Sequence, residues 1–562
     1  MGTGELIGRV GVCLIMGSAR VLVVDQRGRR RARYVAASIE KTLGALPVVA
    51  DYGRRLDLAG IIDRACPIRD IADLTHGQVI ETLVANRLTS PAPLVRVTDW
   101  AGEHAVEEVF GIDPALLNDD RIGRALDAIA PELDHIVGSV GAQAISEFGL
   151  DTSRLHWDMT SISLYGAYDQ ADGDHPTPKF GHPKDRRLDL KQIQAGLAVT
   201  GDGGIPVFHR AYDGGAGEVA QVVGAMTELQ KIAQPREFLL IGDSKLVSYT
   251  NVSAMIESGT GFIAPASKAY TPAATLAALD PGSATEVDYV AQRDAGKPAS
   301  ERGRWRVAEN TMTLAGKRKR DPVFTLRRVF VHSTARAHAA ATARAKKLDR
   351  ATDDLDRLVR GLGSRHYPDE HAVTTRITTI ASARRVTAYL HTNTGTDPAT
   401  GKPTLRWWFD QAALDAETAT DGWYALLTNL PAHVDAAEVL IRYKGQEVVE
   451  RRYSTIKGPL AVAPLFLKNN RRITALITVI CLALLIFCLI ERQVRQAIAP
   501  HTKLDGLYVG RPAKPTGRLI FEALARLRLI PAVNGQPPGI PQPPPLQARL
   551  LDLLGVDPTR PR

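Results

Sequence analysis

The pattern of apolar and polar residues changes twice along the chain and predicts several domains. Over residues 51–150 the apolar positions recur at helical spacing. Thr75 and Gln78 form a capping box in front of an apolar helical face that runs from Val79 to Leu88. This region is therefore predicted to be a compact helical domain.

After residue 150 the pattern becomes that of strands. A Gly201-Asp202-Gly203-Gly204 turn divides the second apolar stretch into a hairpin, so three antiparallel strands are predicted. A helix, a short buried strand with the sequence FLLIG and another helix follow. The resulting order is β-β-β-α-β-α, with strands in 155–168 and 194–212, a helix at 218–233, a strand at 238–242 and a helix at 245–257.

Residues 268–432 interrupt this order and are predicted to form an inserted, mainly β subdomain with one charged helix near 335–360. Within it, the cluster from Lys317 to Arg320 has two equally supported interpretations, a phosphate-binding patch and a basic hairpin turn. A helix is predicted at about 436–456. The predicted domains are a basic N-terminal segment (1–50), the helical domain (51–150), a core in two parts (151–267 and 433–500), the insertion (268–432) and a Pro-rich C-terminal tail (501–562).

The 18-residue uncharged run 473–490 is long enough to be considered as a membrane span. It contains Thr474, Thr478, Cys481 and Cys488, and it lacks interfacial aromatic residues. These features favour a buried core helix, while a single membrane span remains the alternative.

Composition limits the class of protein. The chain has 562 residues, of which 44% are hydrophobic and 23% charged, as in globular proteins. Seventy Lys and Arg against 61 Asp and Glu give a net charge of +9, which suits a polyanionic partner such as nucleic acid. The four cysteines include no Cys-x2-Cys pair, so neither a zinc site nor a disulfide framework is predicted. Arg9 interrupts the N-terminal apolar stretch, and no signal peptide is predicted.

A run of arginines between Arg27 and Arg33 could contact phosphates as a basic arm. A solvated run of charges is the commoner explanation of such a pattern.

Three acidic residues are candidates for catalysis. Asp158 lies in a strand between apolar neighbours, where a carboxylate is costly unless a positive group meets it. Asp243 follows the FLLIG strand, at a position typical of functional groups in open α/β sheets and equally typical of a helix N-cap. Glu450, on a helix beside Arg451 and Arg452, would by itself be interpreted as a surface residue.

The three acidic residues are stronger candidates for a catalytic site as a group than individually. The β-β-β-α-β order places the first and fourth strands side by side in an RNase H-like sheet, which would bring Asp158 close to Asp243, and a later helix could deliver Glu450. Converging carboxylates repel one another unless a hard cation intervenes, and an all-oxygen ligand set selects Mg²⁺, with Mn²⁺ as a substitute. Two such ions would activate a hydroxyl nucleophile and stabilise the leaving oxygen in phosphoryl transfer. This is the chemistry of cutting and joining DNA strands.

A segment near residue 450 supports the same interpretation by its resemblance to a known family. Residues 443–457 read YKGQEVVERRYSTIK, which resembles the Tyr-x2-Arg-x3-Glu-x6-Lys signature of one group of DDE transposases of bacterial insertion sequences. Gln446 stands where the signature has Arg. The resemblance extends over about residues 50–495 and includes the segments LNDDRIGRALDAI, LHWDMTSISLYG, GLAVTGDGGIPVFHRAYDGG, EFLLIGDSKLVS and DGWYALLTNLP.

The resemblance implies an α+β multidomain protein, with an RNase H-like catalytic core interrupted by a β-rich insertion. It also makes the helical N-terminal domain, residues 51–150, a candidate for DNA binding. It implies that Glu450 completes a catalytic and metal-binding set with Asp158 and Asp243. Tyr443 and Lys457 would contact transposon-end DNA. Gln446 lacks the permanent positive charge of the arginine in the signature. Arg442 or Lys444 could supply the phosphate contact in its place.

The implied partners are double-stranded DNA, both terminal inverted repeats and target, and a second copy of the chain in the synaptic complex. The implied location is the bacterial cytoplasm, at the nucleoid, with no membrane association.

Two aromatic residues of the insertion have a possible DNA role. Trp407 and Trp408 could stack on an unpaired base, as aromatic residues of the insertion do in some relatives. A pair with one ring in the core and one outside is the commoner arrangement.

Three rival functions stay open. Residues 215–220 (GAGEVA) match G-x-G-x-x-A and resemble a dinucleotide-binding fingerprint of an oxidoreductase. A membrane-anchored DNA-binding protein would use 473–490 as its span. A degenerate transposase would keep the fold and DNA affinity without the activity.

Overall fold

The structure is a computed structural model that describes residues 13–15, 18–24, 30–36, 40–69, 71–168, 173–233, 237–460, 467, 469–531 and 538–559. Arg27 and Arg29 of the basic arm lie outside the described residues.

The N-terminal part begins with short strands and continues as helices. The capping box is confirmed, because Thr75 Oγ1 accepts from the amide of Gln78 while the Gln78 side chain accepts from the amide of Thr75. The elements are β1 (Cys13–Ile15), β2 (Ser18–Val24), β3 (Arg30–Ala36), β4 (Lys41–Thr42), α1 (Leu46–Arg55), α2 (Leu58–Ala65), α3 (His76–Thr89), α4 (Val97–Glu103), α5 (Val106–Phe110), α6 (Asp119–Ile129) and α7 (Leu133–Phe148).

The β-β-β-α-β-α order that follows is confirmed. One boundary differs from the prediction, since a 3-10 turn at Ser244–Leu246 precedes the last helix, which begins at Tyr249. The elements are β5 (Arg154–Leu164), β6 (Lys191–Thr200), β7 (Pro206–Tyr212), α8 (Glu218–Ala233), β8 (Leu239–Ile241), α9 (Tyr249–Glu257) and β9 (Gly261–Pro265).

Residues 268–432 contain more helix than the mainly β prediction anticipated. The charged helix is present, and a second long helix follows it. The elements are α10 (Ala273–Ala277), β10 (Thr285–Val287), β11 (Trp305–Ala315), β12 (Val323–Ser333), α11 (Thr334–Arg360), α12 (Glu370–Arg384), β13 (Leu390–Thr396), β14 (Pro403–Phe409), α13 (Gln411–Thr418) and β15 (Trp423–Thr428).

The predicted helix at 436–456 is divided in two around Gly445, a residue with poor helix propensity. The region of the predicted tail also contains ordered elements. The last elements are α14 (Ala436–Lys444), α15 (Glu447–Lys457), α16 (Asn470–Ala497), β16 (Leu504–Tyr508), β17 (Arg511–Ala513), α17 (Gly517–Leu524), β18 (Arg528–Leu529) and α18 (Pro545–Leu554).

The chain divides into two compact units. The first unit comprises Met1–Gly217, Glu228–Arg236 and Val448–Arg562, and the second comprises Glu218–Thr227 and Glu237–Glu447. Asp158 and Glu450 therefore belong to the first unit, and Asp243 belongs to the second.

In the first unit, β5, β6 and β7 pair antiparallel in that order. Two consecutive residues of the β6–β7 turn, Gly203 and Gly204, have positive φ values of 77° and 63°, which side chains with a Cβ rarely adopt. A Cβ at Gly204 would also lie 2.1 Å from the side chain of Val448. Glycine at this position therefore allows both the turn and the close approach of α15.

Helix α16 forms the core of the first unit. It packs against α3, α6, β7 and α18. Among the described helices it is the one long and apolar enough to cross a membrane, with a mean hydropathy of 3.1 over 18 residues, and all of that window is buried in the protein. The predicted buried core helix is confirmed.

Ion pairs hold both ends of α16. Near its start, Arg472 donates to both carboxylate oxygens of Asp127 on α6, at 3.0 and 2.6 Å. Near its end, the buried Glu491 accepts from Arg452 on α15 at 3.1 Å and from the amide of Gly517 at 2.7 Å. The core helix thus determines where α15 can lie.

The second unit contains a mixed sheet with the order β10-β11-β12-β15-β9-β8. Its pairs are antiparallel except for β8 and β9, which are parallel. Strands β11, β12 and β15 thus continue the sheet that holds β8 and β9. Helix α14 packs on this sheet through Val439 and Leu440.

The GAGEVA segment lacks the context of a dinucleotide-binding fingerprint. The strand before it, β7, pairs antiparallel with β6, whereas the fingerprint requires a parallel βαβ unit.

We predict that Arg452→Met lowers the free energy of unfolding of the first unit by about 3 kcal/mol, because it removes one of the two cations at the buried Glu491, the other being Arg495, and takes the arginine donor from the carbonyls of Gly203 and Gly204. Calorimetric unfolding measures the loss. Arg124→Met, which removes an exposed pair with Asp120, should change stability by no more than about 0.5 kcal/mol. Equal effects of the two substitutions would contradict the role given to Arg452.

The buried His209 on β7 should make the stability of the folded protein depend on pH. The ring is buried, its Nε2 has no partner among the described residues, and burial lowers the pKa of His209 to about 3. Between pH 6.5 and 3 the unfolded chain binds this proton and the folded chain does not, so stability falls as pH falls. Over that window the wild type should lose about 1.4 kcal/mol per pH unit more than His209→Leu. Parallel stability curves for the two proteins would refute this.

Candidate functional site

The candidate site of the first unit is built on β5. Asp158 is half-buried, with its side chain 13% exposed, and its strand neighbours Trp157 and Met159 are buried. Its Oδ1 accepts from the amide of Met159 at 2.8 Å and from Lys184 Nζ at 3.2 Å. A positive group therefore meets this carboxylate, as the sequence argument required.

Lys184 comes from the segment between β5 and β6 and is attached to β5 at several points. Its amide donates to Ser161 Oγ at 2.9 Å, and its Nζ also donates to the carbonyl of Met159. The next residue, Asp185, accepts from Ser163 Oγ at 2.7 Å. These bonds hold the ammonium against the strand.

Helix α15 packs on the same strand. Tyr453 Oη lies 2.6 Å from the carbonyl of Asp158 and 3.1 Å from that of Ala195 on β6, so its proton is shared between the two strands. Lys457 Nζ donates to Thr160 Oγ1 at 2.9 Å. Glu450 is exposed and lies three residues before Tyr453, which places it next to the tyrosine on the helix surface.

Charge at this site is mixed. Desolvation lowers the pKa of Lys457, and the Lys184 ammonium lowers it further, while Asp185 and Asp158 oppose the shift. Desolvation would raise the pKa of Asp185, but the hydrogen bonds from Ser163 and the Arg187 amide hold it below its usual value. Two carboxylates, Asp158 and Asp185, and the ammonium of Lys184 therefore lie close enough to Lys457 to influence its charge.

Arg452 fixes the orientation of α15 from the other side. It is buried, and it donates from Nε to the carbonyl of Gly204 at 2.9 Å and from a terminal nitrogen to the carbonyl of Gly203. With the bond to Glu491, one guanidinium joins α15 to both the β6–β7 turn and the core helix.

In the second unit, Asp243 follows β8. Its Oδ1 accepts from the amide of Lys245 at 2.8 Å, so it is the N-cap of the 3-10 turn. The N-cap role considered from the sequence is confirmed.

The carboxylates are oxygen donors of the kind that Mg²⁺ prefers. Among the described residues, however, no three His, Cys, Asp or Glu side chains are grouped closely enough to hold a metal ion. Asp158 instead forms an ion pair with the Lys184 ammonium. In the arrangement described here, the residues do not form a complete metal-ligand set.

Most of the signature residues predicted to contact DNA belong to the second unit. Arg442 donates to Glu438 Oε1 at 2.7 Å, and Gln446 is half-buried. Lys444 Nζ lies 3.7 Å from the centre of the Trp305 ring and 5.5 Å from that of Tyr424. Burial lowers the pKa of Lys444 to about 8.

Tyr443 and Lys444 line a cavity of about 450 Å³ in the second unit. Two further cations and two aromatic residues, all missed by sequence reasoning, also line it: Arg293, Arg336, Trp305 and Tyr424. They come from different elements that are distant in sequence, so no local motif connects them to the signature.

Trp407 and Trp408 have the commoner arrangement, with one ring packed against a core and the other exposed. Trp407 packs against the core formed by Leu355 and its neighbours on α11 and α12. Trp408 is 51% exposed and stacks on His391, with ring centres 5.7 Å apart. The Lys317–Arg320 cluster is the exposed turn between β11 and β12, which confirms the basic hairpin interpretation.

Sequence reasoning also missed Lys184 and Tyr453. Tyr453 could have been found, because a residue three positions after Glu450 occupies a neighbouring position on the helix. Lys184 had a weaker signal, since it lies in a charged loop that contains Asp185, Arg186 and Arg187.

The comparisons with known proteins give one family match. Residues 38–135 match the family described as a domain of unknown function, DUF4277, which covers helices of the N-terminal region and none of the three candidate carboxylates. No curated protein matches the chain.

Two solved structures that match are transposases. A piggyBac transposase synaptic complex with hairpin DNA has a TM-score of 0.36 and 10% identity, covering 85% of this chain and 79% of that chain. A Mos1 transposase paired-end complex with the left transposon end has a TM-score of 0.15 and 9% identity, covering 36% of this chain and 62% of that chain.

Proposed function

We propose that the protein is a DNA transposase that cleaves DNA strands at the ends of an insertion sequence and transfers them to a target. The proposal begins from the resemblance of residues 443–457 to the transposase signature and from the basic composition of the chain.

One observation supports it most strongly. The Tyr453 hydroxyl, on the signature helix, contacts the carbonyl of Asp158, a residue 295 positions earlier in the chain. Glu450 lies one helical turn from this contact. Two of the three acidic residues that the resemblance requires are thus carried by elements that pack directly on one another.

In this proposal Asp158, Asp243 and Glu450 are the catalytic and metal-binding residues. Two Mg²⁺ ions, with Mn²⁺ as a substitute, would stabilise the charge on the attacking and leaving oxygens of the phosphodiester. The chain's own residues hold the site: Tyr453 and Arg452 orient α15, and the bonds of Tyr453 connect that helix to β5 and β6.

The DNA contacts proposed are Lys457 at the first unit and Tyr443, Lys444, Arg442 and Gln446 at the second. The exposed Trp408 stays a candidate for base stacking, while Trp407 is engaged in packing. The proposed partners are terminal inverted repeats, target DNA and a second copy of the chain during synapsis, in the bacterial cytoplasm at the nucleoid.

The carboxylates can be tested individually. Asp158→Asn, Asp243→Asn and Glu450→Gln should each reduce Mg²⁺-dependent cleavage of a duplex carrying the inverted repeat that flanks the gene by at least about a hundredfold, on the scale of losing an essential charge at a phosphoryl-transfer site. End binding, measured by gel shift in Ca²⁺, should change little. Asp243→Asn preserves a side chain that can cap the 3-10 turn.

Glu447→Gln, one turn before Glu450 on the same helix, is the matched control and should cleave normally. Near-normal cleavage by any of the three carboxylate variants would remove that residue from the catalytic set.

Lys457→Gln should weaken binding to the same duplex and reduce the slope of log affinity against log salt by about one unit, as expected when one phosphate contact is lost. Lys457 is an exposed residue, and its ammonium donates to Thr160. Lys503→Gln, at another exposed lysine, serves as the control. An unchanged salt slope for Lys457→Gln would show that this lysine serves only to hold α15.

A further inference from the structure

A cavity in the second unit is lined by three cations from distant parts of the chain. Arg293 precedes β11, Arg336 lies in the first turn of α11, and Lys444 is the last residue of α14. The volume of about 450 Å³ lies within the range of small-molecule sites, roughly 300–1,000 Å³. No aspartate or glutamate is found among the described residues that line the cavity, so its charged side chains are all positive.

Two of these cations are held by aromatic rings instead of carboxylates. Lys444 Nζ lies 3.7 Å from the centre of the Trp305 ring, and Arg336 Cζ lies 5.1 Å from that of Tyr424. Neither cation forms an ion pair within the described part of the chain. Glu447 influences Lys444 electrostatically without lining the cavity. An aromatic face attracts a cation but leaves its charge in place, so both cations can still bind an anion.

Arg293 is paired only weakly. Its Nε lies 4.0 Å from Asp294 Oδ2, whereas Lys297 lies 2.8 Å from the other oxygen of that carboxylate. The Arg293 side chain is also 67% exposed. A ligand in the cavity can therefore bind this guanidinium without breaking a strong ion pair.

Helix α11 adds its N-terminus to the cavity. Its N-cap Ser333 and the following residues Ala335 and Arg336 are part of the lining. The first turn of a helix has amide donors without intrahelical acceptors, and the dipole of this 27-residue helix favours an anion there. Two side-chain atoms of the lining residues, Trp305 Nε1 and Tyr424 Oη, are buried and have no hydrogen-bond partner among the described residues. The cavity thus has donors to spare for a ligand rich in acceptors.

We propose that this cavity binds the dianionic phosphate of a small phosphate monoester, with Arg293, Arg336, Lys444 and the first amides of α11 as its donors. Such a group offers two negative charges and several acceptor oxygens, which matches a helix N-terminus flanked by cations. The monoester is either a free mononucleotide or the 5′ end of a DNA strand, and the second source would agree with the DNA contact proposed for Lys444. The site uses none of the three candidate carboxylates, so the inference does not depend on their role in the proposed function.

Calorimetric titration of the full-length protein at pH 7 tests the site, with thymidine 5′-monophosphate and inorganic phosphate as probes. At this pH most Lys444 side chains are protonated, since burial lowers the pKa of Lys444 only to about 8. Both probes should bind, and thymidine, which lacks the phosphate, should not. Lys444→Met and Arg336→Met should each weaken binding of the monophosphate at least about tenfold, the scale of one hydrogen bond to a charged group.

Arg350→Met is the matched control, because it removes the same charge from an exposed position about four turns further along α11. It should bind the monophosphate as the wild type does. Arg293→Met should weaken binding about threefold, and its exposed side chain keeps the test valid even if the more buried variants do not fold. The inference is wrong if neither phosphate probe binds at millimolar concentration, if thymidine binds as tightly as its monophosphate, or if the folded lining variants bind as Arg350→Met does.

Displacement of the bound monophosphate distinguishes the two sources. If a short single-stranded oligonucleotide displaces it only when the oligonucleotide carries a 5′-phosphate, the site receives a DNA end. If neither the 5′-phosphate nor the 5′-hydroxyl form displaces it, the ligand is a free nucleotide. Displacement by both forms alike would mean that the cavity binds the diester backbone, and would refute the inference.

The carboxylate variants separate this inference from the proposed function. Asp158→Asn, Asp243→Asn and Glu450→Gln should bind the monophosphate as the wild type does, whatever their effect on cleavage. Loss of monophosphate binding in these variants would show that the cavity is not an independent site.

Discussion

The hydrogen bond from Tyr453 to the carbonyl of Asp158 is the contact on which the candidate site depends. It joins a helix near the C-terminus to a strand in the first third of the chain. A carbonyl on a paired strand still has acceptor capacity, so a tyrosine hydroxyl can use it without disturbing the sheet. The bond holds the backbone at Asp158 while leaving its carboxylate available to other partners.

Arg452 makes this placement stable. A buried guanidinium is tolerated only when its donors find acceptors, and here two turn carbonyls and the Glu491 carboxylate supply them. The turn requires glycine at two successive positions, and the core helix α16 must place Glu491 within hydrogen-bonding distance of Arg452. The signature helix is thus held by polar contacts that tolerate little displacement, within a core that is otherwise apolar.

Local structure was predictable where one pattern dominated. The capping box at Thr75, the three strands from Arg154 to Tyr212 and the buried nature of α16 all follow from spacing and composition. The sequence could not reveal Gly445 as a helix break between α14 and α15, since a single glycine within a helical pattern is often tolerated. It also underestimated helix in the insertion, where the Thr-rich α12 has the composition of a strand.

The candidate site was predictable in part. Asp158, Glu450 and Lys457 could be selected from their residue types and the signature spacing. Lys184, Arg293 and Trp305 could not, because their contacts arise from loops and strands that meet only in three dimensions. A cation beside Asp158 was predictable, because a half-buried carboxylate is costly without one. That this cation is Lys184 was not predictable, because it depends on the path of the loop between β5 and β6.

The 295-residue separation between Tyr453 and Asp158 has a consequence for synthesis on the ribosome. Strand β5 emerges long before α15 and α16 have been translated, so the nascent chain lacks both the helix that carries Glu450 and the one that forms the core. Contacts this distant in sequence form late in folding. The contact between Tyr453 and Asp158 can consequently form only after α15 has been translated.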